Sequence, residues 1–320
     1  MSKPLVSVIL PTYNRPDRLR EAVDSVLNQT VDDIELIVID DHSSPPAEEA
    51  LAEVDCSGIF EMRLLRHDRN RGQNAARNTG IREATGEYVA LLDDDDVWLE
   101  EKLERQVATF RRSDDDVGVV FTGQKHVNES GEVIGYSRSD ASGDLTEYIL
   151  AGGKTAPTSS IMARMETVEK GGLLDEECPM YTDRDWLLQL STCCTFESIT
   201  DPLVVRRMGS SDRVSDNFEM KRDVAIPYWI EKHRPLAAEY GWLCERKFMS
   251  QMALHVGRSG VKYQHFSDAR KYLLKSIVRY PFRLEPYLYL IVAMGGSWGY
   301  ELGLTYRRLS RKIAKRLGRF

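Results

Sequence analysis

Two periodicities alternate along the first two-thirds of the chain. Short, mostly apolar runs at residues 5–10, 35–39, 62–65, 88–92 and 118–122 read as strands, and the run at 88–92 has the length and β-branched or aromatic content of one buried on both faces. Between them lie stretches with apolar residues on one helical face. Leu19, Ala22, Val23, Val26 and Leu27 form such a stripe after Pro16, and Leu99, Leu103, Val107 and Phe110 form another. Residues 73–84 read as a further helix closed by Thr85-Gly86. Strand, helix and strand in succession make right-handed crossovers, hence a mainly parallel sheet covered by helices.

The pattern then loosens. Residues 125–142 are polar, with Asn128, Gly131 and Gly135 marking turns, and predict a hairpin or loop. Residues 158–163 and 203–205 read as later strands, and 185–190 as an apolar helix with Asp183 in its first turn. Beyond Phe218 the character changes to amphipathic helices, with breaks expected at Pro235, at Gly257 to Gly260 and at Pro281 to Pro286. This predicts two domains, residues 1–215 and a helical region, 216–320.

Charge sharpens the picture. The formal net charge is −7, but Arg307, Arg308, Arg311, Lys312, Lys315, Arg316 and Arg319 follow the last acid, Glu301, so the rest is twice as acidic as the total implies. An acidic body argues against nucleic-acid binding. Five cysteines without Cys-x-x-Cys spacing read as free thiols. With no leader-like N-terminus and no apolar span of roughly 18 residues, the expected location is the cytoplasm. In the basic tail Leu302, Tyr306, Leu309, Ile313, Leu317 and Phe320 recur every three or four residues. That spacing suits either an interfacial helix on the cytoplasmic face of an anionic membrane or a helix packed on the core.

The candidate chemistry centres on Asp93, Asp94, Asp95 and Asp96, directly after the run at 88–92. Four like charges at a strand end call for compensation, and Mg²⁺ or Mn²⁺ with a substrate polyphosphate would supply it. Ligands of open α/β sheets sit at such carboxyl ends. The plain alternative is a solvated acidic turn before a helix. No Gly-x-Gly-x-x-Gly follows either of the first two strands, which speaks against a dinucleotide site.

Taken together, Val6-Ser-Val-Ile-Leu-Pro-Thr-Tyr-Asn-Arg15, Ser25-Val-Leu-Asn-Gln-Thr30, Glu35-Leu-Ile-Val-Ile-Asp-Asp-His-Ser43, Ala76-Arg-Asn-Thr-Gly-Ile81, Thr85-Gly-Glu-Tyr88 and Leu92 to Trp98 resemble glycosyltransferase family 2. The resemblance covers about two-thirds of the chain and ends near Ser215. It implies a GT-A fold, a mixed, mainly parallel sheet flanked by helices, and inverting transfer from a nucleotide-diphosphate sugar, a UDP-sugar first, to a hydroxyl acceptor. If the tail meets membrane, that acceptor would be a lipid-linked, polyprenyl-phosphate glycan. By the same resemblance Pro11, Tyr13, Arg15 and Asp41 would line the base pocket, and Arg77 would face the pyrophosphate. Asp95 would hold the metal, with Asp93 or Asp94 on the ribose. The structural alternatives are core packing for Tyr13, an Asx-turn cap for Asp41 and a helix-surface arginine for Arg77.

Tyr181-Thr-Asp-Arg-Asp-Trp186 is similar to the family's Glu-Asp-x-Asp region, with Thr182 in place of its glutamate. The match makes Asp183 the general base, with Asp185 as competitor and helix capping as the alternative for both. Met208 stands where relatives often carry a histidine, so no metal or phosphate role is assigned there. Two other functions fit an acidic sheet edge: a sugar nucleotidyltransferase, whose glycine-rich basic loop residues 11–15 lack, and a non-catalytic nucleotide-sugar-binding protein.

Overall fold

The computed structural model describes residues 3–138, 140–208 and 217–303. The described residues fall into two units, each treated by itself below. The first comprises the described residues of 3–146, Lys154–Glu177 and 181–208.

In this unit β1 (Val6–Thr12) leads into α1 (Pro16–Leu27), β2 (Ile34–Asp40), α2 (Ala47–Leu51), β3 (Glu61–Arg66), α3 (Gln73–Glu83) and β4 (Tyr88–Leu91). Every residue of β1 and β2 is buried, as their apolar runs require. Then come β5 (Asp96–Trp98), α4 (Lys102–Arg112), β6 (Val117–Val127) and β7 (Val133–Ser137), followed by β8 (Ile161–Arg164), α6 (Met165–Gly171), α7 (Thr182–Ser191) and β9 (Thr195–Arg207); α5 (Thr146–Leu150), between β7 and β8 in the chain, belongs to the second unit from Glu147 on. The nine strands form one mixed sheet in the order β3-β2-β1-β4-β8-β6-β9-β5, with β7 on β6. Strands β1 to β4 are mutually parallel, and β8 enters antiparallel to both β4 and β6.

Helices α1 and α4 bury Leu19, Val23, Leu103, Val107 and Phe110 against Val6, Val8, Leu10 and Val120. On the other face α3 lies close to β1 and β2. A Cβ on Gly80 would stand 2.5 Å from Ile9 Cγ2 and 2.6 Å from Ile39 Cδ1, so the approach needs glycine.

Several expectations are corrected. The aspartates do not run straight into a helix: β5 intervenes, paired antiparallel with β9, and Leu99 donates its N–H to Leu203 O (2.9 Å) before α4 begins. Residues 158–160 are a 3₁₀ turn ahead of β8, because Ser160 N–H closes on Pro157 O (3.0 Å). The run at 203–205 is the end of a 13-residue strand whose pairing with β6 shifts register around Gly123. The hairpin expected at 125–142 forms between β6 and β7.

The second unit contains Glu147–Gly153, Cys178–Met180 and the C-terminal helices. Helix α8 (Phe218–Met220) passes through a π-helical turn, Lys221–Ala225, into α9 (Ile226–Glu239). It continues with α10 (Trp242–Lys262), α11 (Phe266–Arg279) and α12 (Glu285–Met294). Pro235 lies inside α9, and Gly257 and Gly260 lie inside α10, so neither breaks a helix. Packing overrides propensity here. A Cβ on Gly257 would meet Leu273 Cγ at 2.6 Å, so these glycines admit α11 against α10. The breaks fall instead at Gly241, with φ of 98°, and after Tyr263, while the expected break between α11 and α12 is present. Residues 304–320, with most of the basic tail, lie outside the described residues, as does 209–216, where the sequence divides the domains.

Candidate active site

Parallel strands β1, β2 and β4 end side by side, with Thr12 paired to Asp40 and Ile9 to Leu91, so the segments leaving them share one edge of the sheet. Pro11 is buried in β1, whereas Tyr13, one residue past the strand, is 46% exposed. The ring of Tyr13 is therefore not core packing.

The aspartate run separates into distinct roles. Asp94 turns back toward β1, accepting from Thr12 Oγ1 (2.9 Å) and Arg15 Nη1 (2.9 Å). Burial pushes its carboxyl up to about 6, although Arg15 and Thr12 pull the other way. Asp93 accepts from Arg77 Nη2 (2.5 Å) and Gln73 Nε2 (3.1 Å). Asp96 is buried on Ser159 Oγ (2.6 Å), and burial, reinforced by Asp93 and Asp95, pushes it up to about 7. Asp95 is half exposed, 3.5 Å from Arg15.

Asp93, Asp95 and Asp96 each bring one carboxylate oxygen within 4.8 Å of the others. An all-oxygen donor set at that spacing, partly buried, fits Mg²⁺ or Mn²⁺. Asp95, to which the resemblance gives the metal, is in this group together with Asp96, and Asp94 is not. The sequence reading included Asp96 in the acidic run but gave it no role of its own.

Asp41 leaves β2 buried, and its oxygens accept from His67 Nδ1 (2.7 Å), Arg71 N–H (2.8 Å) and Gly72 N–H (2.8 Å). A carboxylate has about four acceptor sites, so one direction remains for a ligand. These are not the contacts of an Asx turn: Asp40 accepts from Ser43 N–H (2.7 Å) and Ala47 N–H (3.1 Å) in the segment after β2. Arg77 is 1% exposed, which rules out the helix-surface alternative. It bonds Asn74 Oδ1 (3.2 Å) as well as Asp93, and its buried Nε–H has no partner among the described residues.

Asp183 sits in the first turn of α7, whose N-cap Tyr181 is left-handed, with φ of 64°. It is half-buried and accepts from Arg184 N–H (2.8 Å). Burial pushes its carboxyl up. The Arg184 N–H and the Arg77 guanidinium oppose this and Asp93 adds to it, so Asp183, Arg77 and Asp93 share one electrostatic neighbourhood. Asp185, the competitor, is 1% exposed.

Two asparagines the sequence reading passed over hold the segment before α7. Asn78 Nδ2 donates to Leu174 O (2.8 Å) and Glu176 Oε1 (3.0 Å), Asn78 Oδ1 accepts from Leu174 N–H (3.0 Å), and Asn74 Nδ2 donates to Asp175 O (2.7 Å). Thr12, Gln73, His67 and Ser159 were likewise missed.

The family model described as "Glycosyl transferase family 2" matches residues 7–164. An uncharacterized glycosyltransferase of Methanocaldococcus jannaschii is 36% identical over 139 residues, 42% of this chain and 46% of its own length. The Escherichia coli UDP-Glc:alpha-D-GlcNAc-diphosphoundecaprenol beta-1,3-glucosyltransferase WfgD is 39% identical over 104 residues, 32% of this chain and 40% of its own. The match spans between 20% and 52% of the length of curated relatives such as these. Among solved structures, Staphylococcus aureus TarS 1–349 in complex with UDP-GlcNAc matches with a TM-score of 0.58 at 17% identity, covering 86% of this chain and 89% of that one. The mannosyltransferase PcManGT of Pyrobaculum calidifontis, in complex with GDP-Man and Mn²⁺, matches with a TM-score of 0.53 at 18% identity, covering 97% and 81%. At such identities the structures establish the fold alone. Residues 7–164 belong to glycosyltransferase family 2, and the unit built on this sheet takes the GT-A fold.

Proposed function

We propose that the protein is an inverting glycosyltransferase that moves a sugar from a nucleotide-diphosphate sugar, a UDP-sugar first among donors, to an acceptor hydroxyl. The observation that supports this best is the neighbourhood of Asp183, Arg77 and Asp93, which sets a carboxylate of raised proton affinity beside a buried guanidinium. Tyr13 offers an exposed ring for the base, and Asp41 one acceptor direction for its edge. Pro11 and Arg15 flank that end of β1, and Arg15 also holds Asp94 in place.

In the transfer, Asp183 takes the acceptor's hydroxyl proton as oxygen attacks the anomeric carbon, opposite the departing diphosphate, which inverts that centre. Arg77 is fixed by Asp93 and Asn74 with its Nε–H to spare, and serves the pyrophosphate. A bound Mn²⁺ or Mg²⁺, held by Asp95 with Asp93 and Asp96, would supply Lewis-acid stabilisation of the leaving group. The division into residues 1–215 and 216–320 belongs to the same reading.

For the acceptor, the E. coli relative's name specifies a diphosphoundecaprenol-linked sugar, and this chain ends in a basic tail. Both support a lipid-linked acceptor, with the protein peripheral on the cytoplasmic face. No described helix is long and apolar enough to cross a membrane. Calorimetry of donor binding with and without Mn²⁺ tests the site: Asp95→Ala should lose the metal-dependent part of the affinity. Unchanged affinity would remove Asp95. Pyrophosphate release from a sugar phosphate and a nucleoside triphosphate would instead make the protein a nucleotidyltransferase. Donor binding without turnover on any acceptor would favour the non-catalytic alternative.

A further inference from the structure

Helix α12 is apolar on nearly every side, and only one side is enclosed. Leu290 and Ala293 pack with Leu254, Val261, Ala269 and Leu273 of α10 and α11. Opposite them Leu284 at the N-cap, Leu288 and Ile291 form an i, i+4, i+7 stripe that is 64% to 76% exposed. A helix that is hydrophobic all round is ordinarily covered all round, by protein or by lipid.

The exposed apolar surface extends beyond α12. Leu274 and Val278 of α11 are open to solvent, Phe282 in the following turn is 81% exposed, and Trp298 is 84% exposed. Half of the large exposed apolar side chains among the described residues lie between Leu274 and Leu302. Isolated exposed hydrophobes need no explanation, but a concentration of them marks an interaction surface.

Its electrostatics select the partner. Lys271, Lys275 and Arg279 follow one another at i, i+4, i+8 on α11, and Arg246 reaches across from α10 to donate from Nη2 to Val278 O (2.8 Å). These four cations border a groove of about 570 Å³ floored by Ile226, Ile230, Met249 and Ala253, and none of the residues lining it is acidic. In a chain of net charge −7 this is a local reversal of sign, and the chain continues into seven further cations with no acid after Glu301. Two copies meeting through the α11 part of this face would bring Lys271, Lys275 and Arg279 against their own equivalents. Apolar side chains rimmed by Lys and Arg match the interface of a bilayer with anionic headgroups.

We propose that the α11–α12 side of the helical unit is a docking surface for an anionic lipid bilayer. The apolar row enters the headgroup boundary, and Lys271, Lys275, Arg279 and Arg246 meet the phosphates. The docking involves residues of the folded helices themselves, separate from the tail, and stands whether or not the transfer reaction proposed above is correct.

The test is co-sedimentation of the full chain with phosphatidylcholine vesicles, with and without phosphatidylglycerol. Binding should require phosphatidylglycerol and weaken as salt screens the headgroups. Leu288→Asp with Ile291→Asp should lower vesicle affinity at least about tenfold, by loss of apolar insertion. Lys275→Gln with Arg279→Gln should lower it about fivefold per charge. These side chains are exposed, so thermal unfolding followed by circular dichroism should match wild type. The proposal is overturned if the chain ignores anionic vesicles, or if both pairs bind them like wild type, which would leave the tail as the only contact. It is also overturned if sedimentation equilibrium finds a dimer that Leu288→Asp dissociates. Donor affinity of the same variants, read by calorimetry, keeps this outcome separate from that of the transferase reading.

Discussion

At the scale of single residues, the state of Asp183 decides the chemistry. Burial raises its proton affinity, and the Arg184 N–H and Arg77 offset only part of that rise. A general base works ionised, so the acid limb of kcat/KM should fall above the ordinary carboxylate range, with activity rising as pH rises through it. Asp183→Asn should lower kcat by about 10² to 10⁴ while donor affinity stays within about twofold of wild type, the range a shift below half a kcal/mol allows. Stability gives an independent sign. A carboxyl that holds its proton more tightly when folded binds more protons in the native state, so stability falls as pH climbs from the unfolded value to the folded one. The asparagine lacks that penalty, so at neutral pH its melting temperature should equal or exceed wild type. A variant with wild-type turnover would remove Asp183 as the base. The residue types of this site were legible in the sequence, since Asp93, Asp95, Asp183 and Arg77 were all named from it. Their division of labour was not: which of four adjacent aspartates turns back to Thr12 and which to Ser159 depends on side-chain directions that spacing does not encode.

At the scale of elements, α3 explains both a success and an omission. Its residues were read as a helix, yet only a few are apolar, and Asn74, Arg77 and Asn78 are among its buried residues. Spaced at i, i+3 and i+4, they form a polar face turned inward, which a search for hydrophobic stripes passes over. That face ties the segment 174–176, and through it the approach to α7, to the same helix that holds Asp93. Asn78→Ala removes three hydrogen bonds at a buried position. It should destabilise the unit by about 1–3 kcal/mol and lower transfer more than donor binding, because the loosened segment precedes Asp183. Comparing chemical denaturation midpoints with kcat and donor affinity checks it. The opposite face of α3 meets the sheet, and Gly80→Ala should cost about 1–3 kcal/mol at unchanged denaturant slope, because the added methyl collides with Ile9 and Ile39. Strand β5 shows the converse limit: three residues, Asp-Val-Trp, carry too little pattern to announce a strand, and only pairing with β9 makes them one.

At the scale of the whole molecule, ligand and unfolding should be coupled within one unit. Every residue assigned to donor and metal falls in the sheet-bearing unit, and none in the helical one. A ligand that binds only the native state stabilises the unit holding its site by RT ln(1 + [L]/Kd), about 2.7 kcal/mol at a hundred times Kd. In a calorimetric scan with Mn²⁺ and a nucleoside diphosphate, the transition of the sheet-bearing unit should move up by several degrees, on the order expected for a domain of its size. If the two units melt separately, the helical transition should stay where it was, since nothing in it binds the ligand. Asp95→Ala should abolish the part of the shift that needs the metal and leave any part due to nucleotide alone. A shift confined to the helical transition would place the nucleotide on α9 to α12 and contradict the site built on β1, β2 and β4.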